Sequence, residues 1–351
     1  MYNIRYARKE DLPLIIKFLD AHWKKNHALV VSQELMDFQH LNPITGDYNF
    51  IIAENKKTRE LDAMSGYIPV YQYDFNLYKP DEVDLWGAIW KVRDDIREED
   101  MSLLAVFLFE KYIEIPYAMT YSSIGLSGDA IKAYKAMRHF VGVLPQYYIL
   151  NNTIEDFKIA KVGKLPTIIE EKASADAKII GDLNIKLLTE ADIVAGAYRP
   201  KKSVAYLKNR YLYHPFYKYI FWGIEVAGRL ETIWVLRMVE ANGARALRIV
   251  DMYGAGAENI PYLYAQLQGL LSEYEAEYID CLNYGFDEAV FGKMGFLKLD
   301  TSSDEVIIPD YFEPFEQHNN SLYFTYKLKN KKDRYVIFKG DADQDRPNII
   351  R

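Results

Sequence analysis

Polar aromatic side chains cluster between residues 21 and 40, after the first predicted strand and the helix that follows it. Trp23, His27 and His40 are among them. Because a histidine titrates near neutral pH, it can take a proton from an attacking ammonium group. His27 is therefore the first candidate for a general base, with Trp23 and His40 as candidates for binding an acceptor. A structural role is the alternative for each histidine.

Cations and aromatic rings alternate in the run 208–214, KNRYLYH. A guanidinium group can donate two parallel hydrogen bonds to one phosphate. Arg210, with His214 beside it, is therefore a candidate for binding a phosphorylated substrate. A solvated helix end that stops at Pro215 explains the run equally well.

The last residues, 339–351, form a polar tail after an apolar strand. Such a terminus would ordinarily fray. Alternatively, Asp343, Gln344 and Arg346 fold back over a cleft and bind sugar or phosphate groups. The alternating carboxylates are similar to a calcium loop, but the glycine and the distal glutamate of an EF-hand are missing, so we expect no metal.

Length and composition indicate a folded protein of two domains. The chain has 351 residues, of which 50% are hydrophobic and 26% charged. A single core rarely organises so many residues. The net charge of −7 and the absence of a basic run disfavour a nucleic-acid partner.

The single cysteine, Cys281, cannot form an intrachain disulfide and belongs to no zinc-ligand pattern. The charged start, MYNIRYARKEDLPLI, is unlike a signal peptide, and no stretch approaches the ~18 apolar residues of a membrane span. We therefore expect a cytoplasmic protein with no membrane partner.

Hydrophobic periodicity predicts mixed α/β domains that repeat one order of elements. The first half, 1–150, contains strands at 3–6, 49–54, 61–71, 83–92, 117–123 and 144–150, and helices that include 101–112 and 129–137. After a linker, 151–182, a similar order returns over 183–338. An edge strand at 165–173 is an alternative interpretation of part of this linker. Its strand and helix at 184–193 correspond to the start of the chain. The repetition suggests duplication of one domain.

One stretch in each half resembles a motif of the GNAT acyltransferase family. Residues 127–137 keep an alanine and a tyrosine of the family motif, Ala130 and Tyr134, and residues 286–296 keep its Lys-x-Gly-Phe ending. The resemblance implies a fold of two tandem GNAT-like domains, with Tyr134 as the general acid that protonates the CoA thiolate. Phe291 stands where the second half would carry that tyrosine, so the first half is favoured for catalysis.

The resemblance also implies an acyl-CoA site where the central strand of the first half meets the next helix. In the family, main-chain N–H groups at that helix start hold the pyrophosphate. Asp100 stands where glycine is usual, and an acidic helix cap is the alternative interpretation of this loop. The implied cofactor-binding residues are Val92, Arg97, Met101, Ser102 and Leu103.

Three further segments, 208–219, 246–254 and 339–348, resemble two-domain GNAT N-acyltransferases of bacterial surface-polysaccharide (lipopolysaccharide) biosynthesis. That resemblance implies transfer of an acetyl or short acyl group from acyl-CoA to the amino group of a dTDP- or UDP-linked deoxyamino sugar. Direct attack on the thioester needs no enzyme nucleophile. A Fem-type aminoacyl transferase and a non-catalytic GNAT-fold binding protein are the alternatives, and a homodimer stays open.

Overall fold

The computed structural model describes residues 2–115, 118–163, 166 and 176–350. Its strands are β1 (Tyr2–Tyr6), β2 (Phe50–Asn55), β3 (Leu61–Pro69), β4 (Val83–Val92), β5 (Ala118–Ile124), β6 (Phe140–Val143), β7 (Gln146–Leu150), β8 (Lys161–Val162), β9 (Ala177–Ile180), β10 (Tyr219–Val226), β11 (Arg229–Ala241), β12 (Ala244–Tyr253), β13 (Ala276–Tyr284), β14 (Leu297–Lys298), β15 (Val306–Ile307), β16 (Tyr323–Leu328) and β17 (Ile337–Phe338).

The helices pack against two mixed sheets. They are α1 (Leu12–Phe18), α2 (Ala28–Val31), α3 (Gln33–His40), α4 (Glu98–Ile113), α5 (Gly128–Ala136), α6 (Val204–Leu207), α7 (Tyr264–Glu273) and α8 (Glu288–Met294). The first sheet runs β1-β2-β3-β4-β5-β16-β6, and the second runs β14-β7-β13-β12-β11-β10-β9. In both sheets the central pair, β4 with β5 and β12 with β13, is parallel while its neighbours are antiparallel.

The two sheets exchange a strand. β7, which precedes the boundary expected at residue 150, lies between β13 and β14 of the second sheet, and β16 lies between β5 and β6 of the first. Every residue of β7 is buried. An apolar strand of this kind fits the middle of either sheet. Its sequence therefore predicts a buried strand but does not predict which strands it pairs with.

Apolar side chains from both halves form one shared core cluster. Trp86 of β4 packs there against Tyr206 of α6, with ring centroids 6.3 Å apart, and Phe221 and Val235 of the second sheet belong to the same cluster. Because the rings are buried on both sides, the two sheets are fixed against each other. A cleft between them can therefore hold side chains in defined positions.

The stretch 184–193 differs from its prediction as a strand and helix, because it forms only a 3₁₀ turn at Ile185–Leu187. Asp192 accepts hydrogen bonds from the N–H and the hydroxyl of Thr189, at 2.7 and 2.8 Å. A bond from a backbone N–H to an acid three residues later is typical of a helix start, but residues 190–203 continue as irregular turns and form no helix. The edge strand considered at 165–173 lies outside the described residues, apart from Pro166.

Candidate functional site

The central strands of the first sheet separate into a fork. β4 and β5 pair in parallel as far as Gly87 and Ser123. Beyond this point β4 continues to pair with β3, where Ser65 faces Trp90, and the register change between these pairs places a bulge at residues 88–89. A bulge bends a strand and re-aims its backbone groups. The β5-facing edge of residues 88–92 therefore has N–H groups and carbonyls that an extended ligand can pair with.

The Tyr134 phenol lies at the base of this fork. A Cβ atom placed on Gly87 would be 3.6 Å from the Tyr134 hydroxyl and equally far from the Ser123 hydroxyl. The Tyr134 ring packs edge-on against Trp90 and Phe109, with centroids 5.5 and 5.9 Å away. Burial raises the pKa of Tyr134, and the Ser123 hydroxyl opposes this only in part. The phenol is therefore protonated at neutral pH and can act as a proton donor.

The start of α4 offers main-chain donors in an acidic setting. Its N-cap residue, Arg97, makes no capping hydrogen bond with its side chain, and instead pairs with Asp100 at 2.8 Å. Two nearby cations are also paired, Lys91 with Asp94 and Arg93 with Asp95. The local cations are thus neutralised within the protein, and any pyrophosphate here depends on the N–H groups of the first turn.

The other residues implied for the cofactor surround this helix start. Val92 ends β4 and is half-buried, Met101 is half-buried, and Ser102 and Leu103 are exposed on the first turns of α4. The structure therefore brings the five implied cofactor residues together at one end of the fork.

The corresponding fork of the second sheet is filled by the chain itself. β12 and β13 pair as far as Ile249 and Cys281, after which β17 pairs with β13. Gly340, two residues after the end of β17, donates its N–H to the carbonyl of Val250 at 2.8 Å. A Cβ placed on Gly340 would lie 2.5 Å from the Val250 oxygen. Main chain thus occupies the place where a ligand would enter.

Two residues of the second half that could have been catalytic, Phe291 and Cys281, are packed in its core. Phe291, the counterpart of Tyr134, is fully buried and stacks on Tyr147 with centroids 3.8 Å apart. Cys281 is fully buried, and burial raises the pKa of its thiol well above the ordinary value. Phe291 carries no exchangeable proton on its side chain, and the buried Cys281 thiol stays protonated, so it is not a nucleophile at neutral pH.

The tail folds back between the two halves. Asp341 and Asp345 are buried, and Asp345 pairs with Arg237 and accepts a hydrogen bond from Tyr219 at 2.6 Å. Lys202 pairs with Asp341 at 2.8 Å. These contacts hold the tail in place rather than leaving it frayed.

Arg210 fixes the tail and does not face an open phosphate site. Its guanidinium donates to the carbonyls of Gly340 and Ala342, at 2.6 and 2.9 Å, and to the Tyr73 hydroxyl at 2.7 Å. The residue is only 3% exposed. Since its donors are already used within the protein, a phosphate would have to break these bonds.

A cavity of ≈170 Å³ lies where the tail crosses the cleft. An adjoining groove of ≈450 Å³ shares Tyr217, Arg237, Phe312 and Glu313 with it. The three tail residues expected to bind a ligand, Asp343, Gln344 and Arg346, line the cavity, as do Lys339 and Asn348 of the same tail. The Gln344 amide donates to the carbonyl of Ile124, the last residue of β5, at 3.1 Å. The cavity therefore adjoins the end of β5 at the fork.

Arg346 is the least engaged cation of the cavity. Its Nε has no hydrogen-bond partner within the part of the chain that the structure describes. One Nη lies 3.0 Å from Nε2 of His27, and the other 3.6 Å from Asp343. A partly satisfied, largely buried guanidinium is suited to an anionic ligand.

The histidines expected at the site are buried and neutral: His27, the candidate base, and His40 and His214, the candidates for binding the acceptor. Burial lowers the pKa of His27, His40 and His214 to about 3 in each case. His27 contacts Arg346, His40 packs on Phe50, and His214 accepts hydrogen bonds from two backbone N–H groups. With so low a pKa, His27 is a poor base at neutral pH and acts instead as a support for Arg346. Trp23 is 42% exposed at the end of a π-helical turn.

The sequence interpretation missed Arg237, which lines both the cavity and the groove. The sequence does contain an indication of its role, because Arg237 interrupts the apolar run TIWVL-R-MV of β11. A charged side chain within a buried strand needs an oppositely charged or hydrogen-bonding partner. That partner, Asp345, is more than a hundred residues away in sequence, so it cannot be identified from the pattern.

The described ranges 2–115, 118–163, 166 and 176–350 contain neither a group of metal ligands nor a helix that could span a membrane. No group of three or more His, Cys, Asp or Glu residues there could hold a metal ion. Within the same ranges, no helix combines the length and the apolar character needed to cross a bilayer.

No protein-family model and no curated protein matches the sequence. A conserved protein of Enterococcus faecalis V583, described as a probable N-acyltransferase, has a similar structure, with a TM-score of 0.55 and 8% identity over 93% of this chain and 72% of that chain. The GCN5-related N-acetyltransferase from Anabaena variabilis ATCC 29413 has a TM-score of 0.54 and 8% identity over 94% of this chain and 73% of that chain. These similarities show the fold, a mixed α/β chain of two tandem GNAT domains.

Proposed function

We propose that this chain transfers an acyl group from acyl-CoA to a primary amine, with the thioester held in the fork of the first sheet. Two features of the same fork carry the proposal. The bulged edge of β4 no longer pairs with β5 beyond Gly87, and the buried phenol of Tyr134 lies at the base of the fork. The second fork is closed by residues 337–340, so we expect one donor site per chain.

In the proposed reaction the amine attacks the thioester carbonyl directly. An N–H group of residues 88–92 polarises the carbonyl oxygen, and binding holds the nitrogen within ~3.5 Å of the carbon. As the C–S bond breaks, Tyr134 gives its proton to the CoA sulfur. The pyrophosphate lies at the start of α4, where Val92, Arg97, Met101, Ser102 and Leu103 surround the free N–H groups.

For the acceptor we propose a dTDP- or UDP-linked deoxyamino sugar. The cleft supports this proposal because Arg346, Arg237 and Lys218 line the cavity and the adjoining groove. The side-chain carbonyl of Gln344 can accept a hydrogen bond from a sugar hydroxyl, whereas Arg210 and His214 support the walls of the site. We further propose that the reaction takes place in the cytoplasm and supplies surface-polysaccharide assembly.

Calorimetric titration tests the donor site. We expect acetyl-CoA to bind with a stoichiometry of one per chain and to raise the melting temperature, because only ligands of the native state stabilise it. Incubation with acetyl-CoA and a dTDP- or UDP-linked amino sugar should then give an N-acetylated product by mass spectrometry. A chain that binds no CoA species would be a GNAT-fold binding protein of another kind, and the proposal would be wrong.

A further inference from the structure

Three carboxylates line the cavity between the halves, and two of them are already satisfied by the protein. Asp310 accepts hydrogen bonds from Lys339 at 2.9 Å and from Asn320 at 2.8 Å. Glu313 accepts from the Tyr217 hydroxyl and from the backbone N–H of residue 348, both at 2.8 Å. Each of these two carboxylates therefore already accepts two hydrogen bonds from the protein, and Glu313 is only half-buried.

The third carboxylate, Asp343, is different. It is only 6% exposed, yet its Oδ1 accepts a single hydrogen bond, from the Gln344 amide at 3.1 Å. Its Oδ2 lies 3.6 Å from Arg346, beyond hydrogen-bonding distance. An ionised carboxylate can accept about four hydrogen bonds, so Asp343 keeps unused capacity in a buried position.

Gln344 connects this carboxylate to the fork. The same Nε2 that donates to Asp343 also donates to the Ile124 carbonyl at 3.1 Å. A Cβ on Gly125 would meet that nitrogen at 2.7 Å, so only glycine allows the amide this position. Asp343 therefore lies two hydrogen bonds from the end of β5, beside the proposed thioester.

We propose that Asp343 binds the ammonium form of the acceptor and removes its first proton, an inference that rests on the proposed function. A carboxylate repels phosphate, so Asp343 fits the amino end of the acceptor, while Arg346 fits its anionic end. The groups lie on one turn of the tail and are only weakly paired with each other. The acceptor is then oriented by two adjacent side chains of opposite charge, whose nearest atoms lie 3.6 Å apart.

The protons balance in this scheme. The ammonium gives one proton to Asp343, and the neutral amine forms a C–N bond with the thioester carbon. The C–S bond then breaks, and the thiolate takes the Tyr134 proton. The second proton of the attacking nitrogen restores the phenol through solvent, and Asp343 releases its proton to solvent. The products are the amide, free CoA and one proton.

The kinetic test uses Asp343→Asn with acetyl-CoA and the amino sugar. We expect kcat/KM for the amine to fall about 10²-fold or more, the loss typical for a proton-transfer group, with the affinity for acetyl-CoA unchanged. Added formate should restore part of the activity of Asp343→Ala, because it can replace the missing carboxylate. Asp304→Ala, which removes an exposed carboxylate that does not line the cavity, serves as the matched control and should show no formate response. Full activity of Asp343→Asn, or no formate effect on Asp343→Ala, would overturn the assignment.

Binding provides a test that does not depend on turnover. By calorimetry, the wild type should bind the amino sugar nucleotide more tightly than the same nucleotide with a hydroxyl in place of the amine, and Asp343→Asn should bind both equally. A wild type that does not distinguish them contradicts the role of Asp343. If amine preference is present but no amide forms with acetyl-CoA, the acyltransferase proposal fails while the ammonium site stands. Failure to bind either nucleotide would reject the site and the acceptor together.

Discussion

The proposed role of Tyr134 as a proton donor can be tested by removing its hydroxyl group alone. Burial keeps its phenol protonated, and its ring is fixed by Trp90 and Phe109. We predict that Tyr134→Phe lowers kcat about 10²-fold, because the thiolate then leaves without a proton donor. The affinity for acetyl-CoA should change little, since the ring packing is kept. Steady-state kinetics together with calorimetry would check both values.

Tyr112→Phe is a matched control for this prediction. Tyr112 belongs to the same apolar cluster, is 4% exposed, and its hydroxyl has no hydrogen-bond partner among the described residues. Removal of that hydroxyl should leave turnover unchanged. Equal losses in the two variants would mean that the cluster tolerates no change, and would remove the evidence for Tyr134 as an acid.

Residue types alone identified candidate groups but not their protonation or their partners. The motif at 127–137 led to Tyr134, and the structure places this tyrosine beside Gly87 at the fork. For His27 the same reasoning missed burial, which comes from packing against segments distant in sequence and lowers its pKa to about 3. Arg210 has the right type for phosphate, but carbonyls of the tail satisfy it.

Helix α4 gives the test at the level of secondary structure. Asp100 lies in its first turn and pairs with Arg97, so it opposes an anion at the helix start in two ways. We predict that Asp100→Asn tightens acetyl-CoA binding about two- to fivefold, which corresponds to the ~0.3–1 kcal/mol of one charge near a helix end. The effect should shrink at high salt because exposed charges are screened.

The control for Asp100→Asn is Glu288→Gln, which changes an acid in the first turn of α8, in the second half of the chain. Its affinity for acetyl-CoA should equal that of the wild type. If Asp100→Asn binds acetyl-CoA no better than this control, the pyrophosphate does not lie at the start of α4.

Secondary structure was predictable where a pattern is local. The strand expected at 83–92 has those bounds in β4, because its alternating apolar residues and flanking charges need no tertiary information. The bulge within the same strand was not predictable, since it depends on pairing with β3. In the stretch 184–193 the helix-start pattern of Thr189 and Asp192 is formed, yet the chain continues in turns, so the local pattern did not determine the structure there.

For the whole molecule, buried histidines predict loss of stability on acidification. The pKa is lowered to about 3 for His27, His40 and His214 and to about 4 for His139. In the unfolded chain each binds a proton near pH 6.5, while the folded state stays neutral. Stability is therefore complete above pH 6.5 and falls below it, by up to about 1.4 kcal/mol per pH unit for each histidine.

Two buried carboxyls oppose this trend. Burial raises the pKa of Asp84 and Asp251 to about 6, so between pH 6 and 4 the folded state binds protons that the unfolded chain does not. They offset roughly half of the histidine effect in that window. Urea unfolding at pH 7.5 and 5.5 should still give a lower free energy at pH 5.5. His40→Gln should flatten this dependence, whereas the exposed His318→Asn should not; a stability that rises on acidification would contradict the burial of these histidines.

The exchange of β7 and β16 is the feature of the whole fold that the sequence did not reveal. Both strands were recognised as strands, but their partners, β13 and β5, are set by pairing between the halves. A repeat of element order favours two self-contained domains joined by a linker. The structure instead shows that each sheet needs a strand from the other half, because β16 joins β5 to β6 and β7 joins β13 to β14.

This exchange predicts that the two halves unfold together. Leu150 of β7 is 4% exposed, so Leu150→Ala should lower the free energy of unfolding by about 2–5 kcal/mol. Although Leu150 lies in the second sheet, native-state hydrogen exchange should show the same loss of protection for amides of β5 and of β13, since neither sheet is complete alone. We expect the amides of β5 and of β13 to be equally protected in the wild type, and Leu150→Ala to lower the protection of both strands by the same amount. If only β13 lost protection, the halves would be independent domains and the fork of the first sheet would not depend on the second half.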